Sequence, residues 1–150
     1  MKTITVLLAD DHNIVRAGMR ALLETAEDIR IVGEAENGQQ ALLETKRLRP
    51  DVVLMDLAMP LLNGAEAARR IIEQVPASRV LILSSYSDFQ RIMSVIQSGV
   101  AGYLMKESAS EDLLMAIRET AAGNTFFSPV ICKRLLTQLR GTFEIGRAHV

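Results

Sequence analysis

The sequence predicts an α/β fold in which a doubly wound parallel sheet carries helices on both faces. Short apolar runs alternate with longer amphipathic runs along most of the chain, and the connections between them are short. Such alternation is typical of repeated strand–helix units with parallel strands. The run at residues 52–55 is continuously apolar, as expected of a central strand that is buried on both faces.

Five strands and five helices follow from these patterns. The predicted strands are residues 4–9, 29–35, 52–55, 80–83 and 103–105, and the predicted helices are 14–25, 38–48, 64–75, 87–99 and 108–122. Ser87 and Ser108 are each followed three residues later by Gln90 or Glu111, a capping-box pattern that predicts a helix start. One side of the first helix carries Ile14, Gly18, Ala21, Leu22 and Thr25.

The pattern changes after Gly123. Ser128 and Pro129 suit the N-cap and the first position of a further helix, in which Ile131, Leu135 and Leu139 recur at helical spacing. Residues 141–150 have no useful period. We therefore expect one domain at 1–123, a helix or linker at 124–140, and a linker stub or a tail added for expression at 141–150.

Composition narrows the classes of protein to consider. The chain has 150 residues, of which 49% are hydrophobic, enough for one domain with a sizeable core. A formal net charge of −1 argues against binding of nucleic acid by this chain alone. The single cysteine, Cys132, excludes a disulfide framework and favours a reducing cytoplasm. We expect neither a membrane span nor a secretory signal, because Asp10 and Asp11 interrupt the first apolar run.

Polar side chains gather where the predicted strands end. In a doubly wound sheet, ligands bind beyond the carboxyl ends of the strands. Four of the five strands deliver a charged or hydroxyl group to that edge. These groups are Asp10 and Asp11 after the first strand, Asp56 at the end of the third, Ser84 at the end of the fourth and Lys106 after the fifth. The second strand ends near Glu34 and Glu36, which we expect to lie off the site.

This set of groups predicts phosphoryl chemistry. Neighbouring carboxylates repel one another and their pKa values rise, a conflict that a divalent cation relieves. Ligands that are all oxygen favour Mg²⁺, which takes one or two carboxylates together with waters and phosphate oxygens. A lysine supplies a point charge for a phosphate, and a serine hydroxyl donates to a phosphoryl oxygen. An aspartate in such a site can be the covalent acceptor.

Four stretches, "LLADDH", "VVLMDLAMPLLNG", "LILSS" and "GYLMK", resemble in sequence and order the motifs of two-component response-regulator receiver domains. The resemblance covers about residues 3–122. It implies a five-stranded flavodoxin-like (βα)5 fold with strand order 2-1-3-4-5. "IVGEAENG" and the helix that follows "FFSPV" are similar to the NarL/FixJ branch, in which a LuxR-type helix-turn-helix domain binds DNA. Nothing after Arg140 supplies that domain, so we expect it to be absent from this chain.

The resemblance also implies a role for each site residue. Asp56 would accept a phosphoryl group from a sensor histidine kinase. Asp11 and Asp56 would ligate Mg²⁺ directly, Asp10 would act through water, and the backbone carbonyl of Ala58 would be a further ligand. Lys106 would pair with the phosphate. Ser84 and Tyr103 would be the switch residues.

The signal would then leave through the fourth helix, the fifth strand and the fifth helix, and would regulate transcription through the output domain. A homodimer is a further expectation. Many receivers have proline after the lysine, but Glu107 stands there and no cis X-Pro bond can form. Tyr86, two residues past Ser84, would screen the phosphoryl group from water and slow its loss.

Other interpretations make different demands on the sequence. An aspartyl-phosphate phosphatase of the haloacid-dehalogenase kind needs a second carboxylate two residues after the nucleophile, where this chain has Ala58. A pseudo-receiver that only binds proteins would have lost a site residue, and none is lost. A dinucleotide-binding domain is excluded because no G-x-G-x-x-G follows the first strand. Taken singly, Asp10 or Asp11 could cap the first helix, and His12 is expected to be a surface residue.

Overall fold

The short apolar runs form a sheet, and the amphipathic runs between them form helices on its two faces. The computed structural model describes residues 2–85 and 89–148, without the side chains of Phe89 and residues 142–148. Its strands are β1 (Ile4–Ala9), β2 (Ile29–Ala35), β3 (Val52–Asp56), β4 (Arg79–Ser84), β5 (Gly102–Met105) and β6 (Phe126–Phe127). Its helices are α1 (Asn13–Glu24), α2 (Gly38–Leu48), α3 (Gly64–Gln74), α4 (Phe89–Gln97), α5 (Ala109–Ala121) and α6 (Pro129–Ala148).

The sheet is parallel throughout, with strand order β2-β1-β3-β4-β5-β6. This confirms the predicted order of the first five strands. The sixth strand was not predicted, because two residues are too few to give a recognisable pattern. It pairs with β5 where Gly102 opposes Phe126. A Cβ at Gly102 would stand 2.2 Å from the Phe126 carbonyl oxygen, so this close approach of two backbones requires glycine.

The core has two halves, one on each face of the sheet. Successive residues of β3 alternate between them: Val53 and Met55 pack beneath α2, α3 and α4, whereas Val52 and Leu54 pack beneath α1 and α5. Both halves are buried, which confirms the doubly wound arrangement. It also explains why β3 reads as an unbroken apolar run.

Some details of the helices differ from the predictions. Asn37 and Asn63 cap α2 and α3 by accepting hydrogen bonds from the backbone N–H groups of Gln40 and Glu66. Ser108 makes no side-chain cap bond within the described chain. Its hydroxyl donates to the Met105 carbonyl at 3.3 Å instead, because a 3₁₀ turn at Lys106–Ser108 precedes α5. The other proposed capping residue, Ser87, lies outside the described residues.

The first helix also begins differently. Its N-cap position is held by His12, so neither Asp10 nor Asp11 is the cap. Most of the predicted side of α1 faces solvent, and Ile14 is 88% exposed, whereas Leu22 is half-buried and packs against the core. The buried side of this helix is formed by Arg16, Met19 and Leu23.

The last helix lies against the far end of the sheet. Ile131 is fully buried and Leu135 packs beside the core, whereas Leu139 is 59% exposed, so only part of the predicted stripe is internal. The helix runs on to Ala148, past the predicted change at residue 140. The division of the chain at residues 123 and 140 remains a prediction. No helix within the described ranges is long and apolar enough to cross a membrane.

Candidate functional site

The carboxyl ends of β1 and β3 bring the predicted acidic residues together. The two strands are neighbours, and Ala9 pairs with Met55, so Asp10 and Asp56 emerge side by side. Both side chains are buried, at 0% and 3% exposure. Asp10, Asp11, His12 and Asp56 each offer one potential ligand atom, and these atoms lie within 4.8 Å of one another.

Lys106 reaches this acidic group from the end of β5. Its Nζ lies 3.4 Å from Asp56 Oδ1 and 3.5 Å from Asp10 Oδ2. Because β4 separates β5 from β3, the reach of a long side chain is needed to close this distance. The lysine thus stands as a cation between the two buried carboxylates.

The carboxylates are incompletely satisfied by the protein itself. Among the described residues, neither Asp10 Oδ2 nor Asp56 Oδ2 has a hydrogen-bond partner, although both are buried. Asp10 Oδ2 is within ion-pair distance of Lys106 without forming a hydrogen bond. Buried oxygens of this kind are costly unless a donor or a cation meets them. The donor set therefore suits a hard divalent cation such as Mg²⁺.

The electrostatics of Asp56 support the same conclusion. Burial raises the pKa of the Asp56 carboxyl, and the negative charge of Asp10 raises it further. Lys106 and the Ala58 N–H, which lies 3.4 Å from Asp56 Oδ1, oppose that rise. The ionised form of Asp56 is therefore disfavoured in the fold, and a bound cation would stabilise it.

The remaining predicted residues lie on strands beside this group. Ser84 ends β4 and is fully buried, one residue beyond Leu83, which pairs with Asp56. Tyr103 lies on β5 and is also fully buried, in the same half of the core as Ile131. Ala58 is exposed in the loop after β3, and its N–H donates to Asp56 Oδ1.

Expectations from the sequence also concern His12, Glu107 and Tyr86. His12 is 62% exposed, as expected, but its Nδ1 lies 2.9 Å from Asp11 Oδ1. Glu107 continues the 3₁₀ turn that starts at Lys106, and the described chain contains no cis peptide bond. Tyr86 lies outside the described residues.

Sequence reasoning missed a residue that supports the site. Arg16 of α1 is only 8% exposed, and its Nη1 donates to the Asp10 carbonyl at 2.6 Å. Its Nε donates to Glu34 at 3.2 Å, so Glu34, which was expected to lie off the site, is joined to it through Arg16. A signal existed in the sequence, since Arg16 precedes Met19 and Leu23 at the spacing of the buried side of α1.

Comparison with known families gives one match over most of the chain. Residues 6–118 match the family described as the response regulator receiver domain. The response regulator protein VraR of Staphylococcus aureus is 34% identical over 143 residues, which cover 95% of this chain and 68% of VraR.

Solved structures give the same likeness. A LuxR-family two-component response regulator from Aurantimonas sp. SI85-9A1 is 33% identical with a TM-score of 0.87, over 91% of this chain and 98% of that one. The isolated receiver domain of RcsB from Salmonella enterica serovar Typhimurium, with the phosphomimetic BeF₃⁻, is 26% identical with a TM-score of 0.82, over 89% and 99% of the two chains. RcsB has also been solved as two dimers bound to two parallel DNAs, with a TM-score of 0.83 at 26% identity, over 89% of this chain and 68% of that one.

Proposed function

Because this chain belongs to the response regulator receiver domains of the LuxR and NarL type, we propose that Asp56 is the residue through which phosphorylation controls it. The observation that carries this proposal is the position of Asp56, buried at the end of β3 between Asp10 and Lys106. A sensor histidine kinase would be the donor. The output would be transcriptional regulation through a helix-turn-helix domain.

The chemistry is a transfer between two side chains. A carboxylate oxygen of Asp56 attacks phosphorus, the phosphorus bond to the donor nitrogen breaks, and an acyl phosphate forms. Lys106, already 3.4 Å from Asp56 Oδ1, pairs with the added negative charge. Mg²⁺, when bound, neutralises charge on the phosphoryl oxygens. We assign its direct ligands as Asp11, Asp56 and the Ala58 carbonyl, with Asp10 acting through water.

The assignment of Asp56 as the phosphorylated residue also bears on whether the protein is an enzyme and on its partners. It acts on its own aspartate and is not a turnover enzyme, since Ala58 offers no acid to a leaving group. We expect it to work in the cytoplasm and to form a homodimer. DNA contact belongs to the output domain, in keeping with the net charge of −1 of this chain. RcsB, whose dimers are seen on DNA, is a precedent among the relatives.

Incubation with Mg²⁺ and acetyl phosphate tests the proposal directly. Intact mass spectrometry should find a single adduct of about 80 Da, the mass of one added PO₃ group. The adduct should be absent when EDTA removes the metal ion. A protein that gains no mass from acetyl phosphate or from phosphoramidate in the presence of Mg²⁺ would refute it.

The two acidic residues after β1 should differ in their effect on metal binding. Asp11→Ala removes a direct ligand and should weaken Mg²⁺ binding far more than Asp10→Ala, which removes a water-mediated contact. The measurement is an Mg²⁺ titration of each variant by calorimetry. Equal losses in the two variants, or normal titration of the Asp11 variant, would show that the ligand assignment is wrong.

The buried position of Tyr103 suggests a path for the signal. Phosphate on Asp56 gives the hydroxyl of Ser84 a strong acceptor, and a charge-assisted bond would draw β4 toward it. Tyr103 on the neighbouring strand packs in one cluster with Ile92, Val95 and Ile131. The following residue, Leu104, faces α5 in the other half of the core. A shift at Ser84 would therefore reach α4 and α6 first, and α5 through the backbone of β5.

Amide chemical shifts with and without beryllofluoride test this path. We expect changes across α4 and β5, around Ile131 and, more weakly, in α5, because phosphate on Asp56 would shift the packing of Tyr103 to a second arrangement. Changes confined to the loops at Asp10, Asp56 and Lys106 would contradict the path. The resonances of Ile29 and Ile31 serve as an internal control, since these residues lie at the end of β2 away from Asp10.

A further inference from the structure

Arg16 makes three side-chain hydrogen bonds at the base of the site, although no role there was predicted for it from the sequence. It lies in the first turn of α1, with its guanidinium almost buried between the ends of β1 and β2. Nη1 donates to the Asp10 carbonyl at 2.6 Å, Nη2 donates to Asn13 Oδ1 at 2.6 Å, and Nε donates to Glu34 Oε1 at 3.2 Å. Three donors of one planar group are thus engaged by three acceptors, and Nη2 also lies 3.6 Å from Glu36 Oε1.

The hydrogen bond from Arg16 to the Asp10 carbonyl holds the backbone just beyond the end of β1. Ala9 is the last residue of β1, and the Asp10 N–H still donates to the Ala35 carbonyl of β2 at 3.0 Å. The Asp10 carbonyl lies beyond the strand, where a buried acceptor needs another donor. Arg16 is that donor. The bond fixes the peptide plane that joins Asp10 to Asp11, and with it the direction in which both side chains leave the backbone.

Glu34 in turn fixes the guanidinium. It sits beside Leu8 in the pairing of β1 with β2 and is shared by Arg16 and Arg20. Arg20 donates to both Glu34 oxygens, at 2.9 Å to Oε2 and 2.7 Å to Oε1. Hydrogen bonds from Arg20 above all, and then from Arg16, hold the pKa of the Glu34 carboxyl below its usual range. The carboxylate is therefore ionised when the site works, and it anchors the arginine through Nε while Nη1 bonds the Asp10 carbonyl.

We propose that Arg16, anchored by Glu34, is a positioning residue that orients the Asp10–Asp11 pair for the divalent cation. This inference rests on the proposed function, because it assigns a role toward the Mg²⁺ site. Arg16 acts through the backbone of Asp10 and would itself contact neither the cation nor the phosphoryl group. Loss of an outer group that orients a metal ligand typically weakens metal binding by about 10- to 100-fold.

The direction in which Mg²⁺ affinity changes when Arg16 is replaced distinguishes a positioning role from a purely electrostatic one. Arg16 is a cation close to a cation site, so Coulomb repulsion alone predicts that its removal strengthens Mg²⁺ binding. Positioning predicts the opposite, because the freed Asp10–Asp11 peptide would have to be ordered when the cation binds. Arg20 is the matched control: it lies on the same helix and binds the same Glu34, but within the described chain it donates to Glu34 and not to Asp10.

The test is Mg²⁺ titration of the full chain carrying Arg16→Met, compared with Arg20→Met and the wild-type chain. We expect the dissociation constant to rise by about tenfold or more in Arg16→Met, the usual cost of losing a group that orients a ligand. It should stay near the wild-type value, or fall, in Arg20→Met. Thermal unfolding in EDTA is recorded for each variant, so that a loss of Mg²⁺ affinity is judged against any loss of stability.

Arg16→Lys keeps a cation for Glu34 but cannot serve all three acceptors, so it covers the case in which Arg16→Met does not fold. We expect it to lose Mg²⁺ affinity to an intermediate extent. Unchanged or tighter binding in the Arg16 variants would overturn the positioning role, and so would an equal loss in Arg20→Met. Failure of the wild-type chain to bind Mg²⁺ would instead overturn the proposed function on which the role rests.

Discussion

Asp56→Asn should abolish the Mg²⁺-dependent mass gain and should also make the metal-free protein more stable. The amide is nearly isosteric with the carboxylate but is not a nucleophile toward phosphorus. Folding raises the pKa of the Asp56 carboxyl. As pH rises from the unfolded pKa through the folded pKa, ionisation of this carboxyl lowers the stability of the fold. The loss of stability is fully present above both pKa values. We expect the free energy of unfolding to increase by about 0.5 to 2 kcal/mol, the usual range for a single stabilising substitution.

Chemical denaturation in EDTA near neutral pH measures the gain. Added Mg²⁺ should narrow the difference, because a cation that binds only the folded state stabilises the wild-type chain by mass action. Asp51→Asn is the matched control at the amino end of the same strand β3, where Asp51 already accepts hydrogen bonds from the N–H and hydroxyl of Thr5. That variant should gain no stability. Full labelling of Asp56→Asn, or lower stability than wild type in EDTA, would contradict the assignment.

The parts of the site that the sequence predicts are those fixed by strand periodicity. A buried parallel strand must be apolar on both faces. The first charged residue after the apolar run, Asp56, therefore marks the end of the strand. Asp10 and Lys106 are found in the same way at the ends of other strands. Their meeting then follows from the strand order, which right-handed crossovers and the family resemblance restrict to few arrangements. The structure brings these three residues together as expected.

The parts that the sequence does not predict depend on the alignment of separate elements. Arg16 looks like an ordinary helical arginine until β2 places Glu34 beside it. Likewise, β6 exists because Gly102 lets Phe126 approach, and two residues carry no period of their own. The expected capping box at Ser108 failed because the 3₁₀ turn there uses the serine hydroxyl elsewhere.

The contact between α3 and β3 leads to the largest predicted loss. Gly64 is the first residue of α3, and its N–H donates to the Leu57 carbonyl at 2.9 Å. A Cβ at this position would stand 2.0 Å from the Asp56 carbonyl oxygen and 2.6 Å from Leu57 Cα. Both obstacles are backbone atoms, so no side-chain rotation can relieve the overlap. The helix and the end of β3 would have to separate.

Gly64→Ala should therefore cost about 3 kcal/mol in the free energy of unfolding, at the upper end of the usual cost of overpacking. It should also slow phosphorylation by acetyl phosphate about 100-fold, because a displacement of Asp56 near 1 Å costs that much in a reaction that depends on position.

Gly18→Ala is the control, since a Cβ there meets no described atom within 4 Å and α1 should gain about 0.5 to 1 kcal/mol from the better helix former. Denaturation and single-turnover labelling of both variants measure the two effects. Phosphorylation of Gly64→Ala at the wild-type rate would contradict the idea that the close approach of α3 positions Asp56.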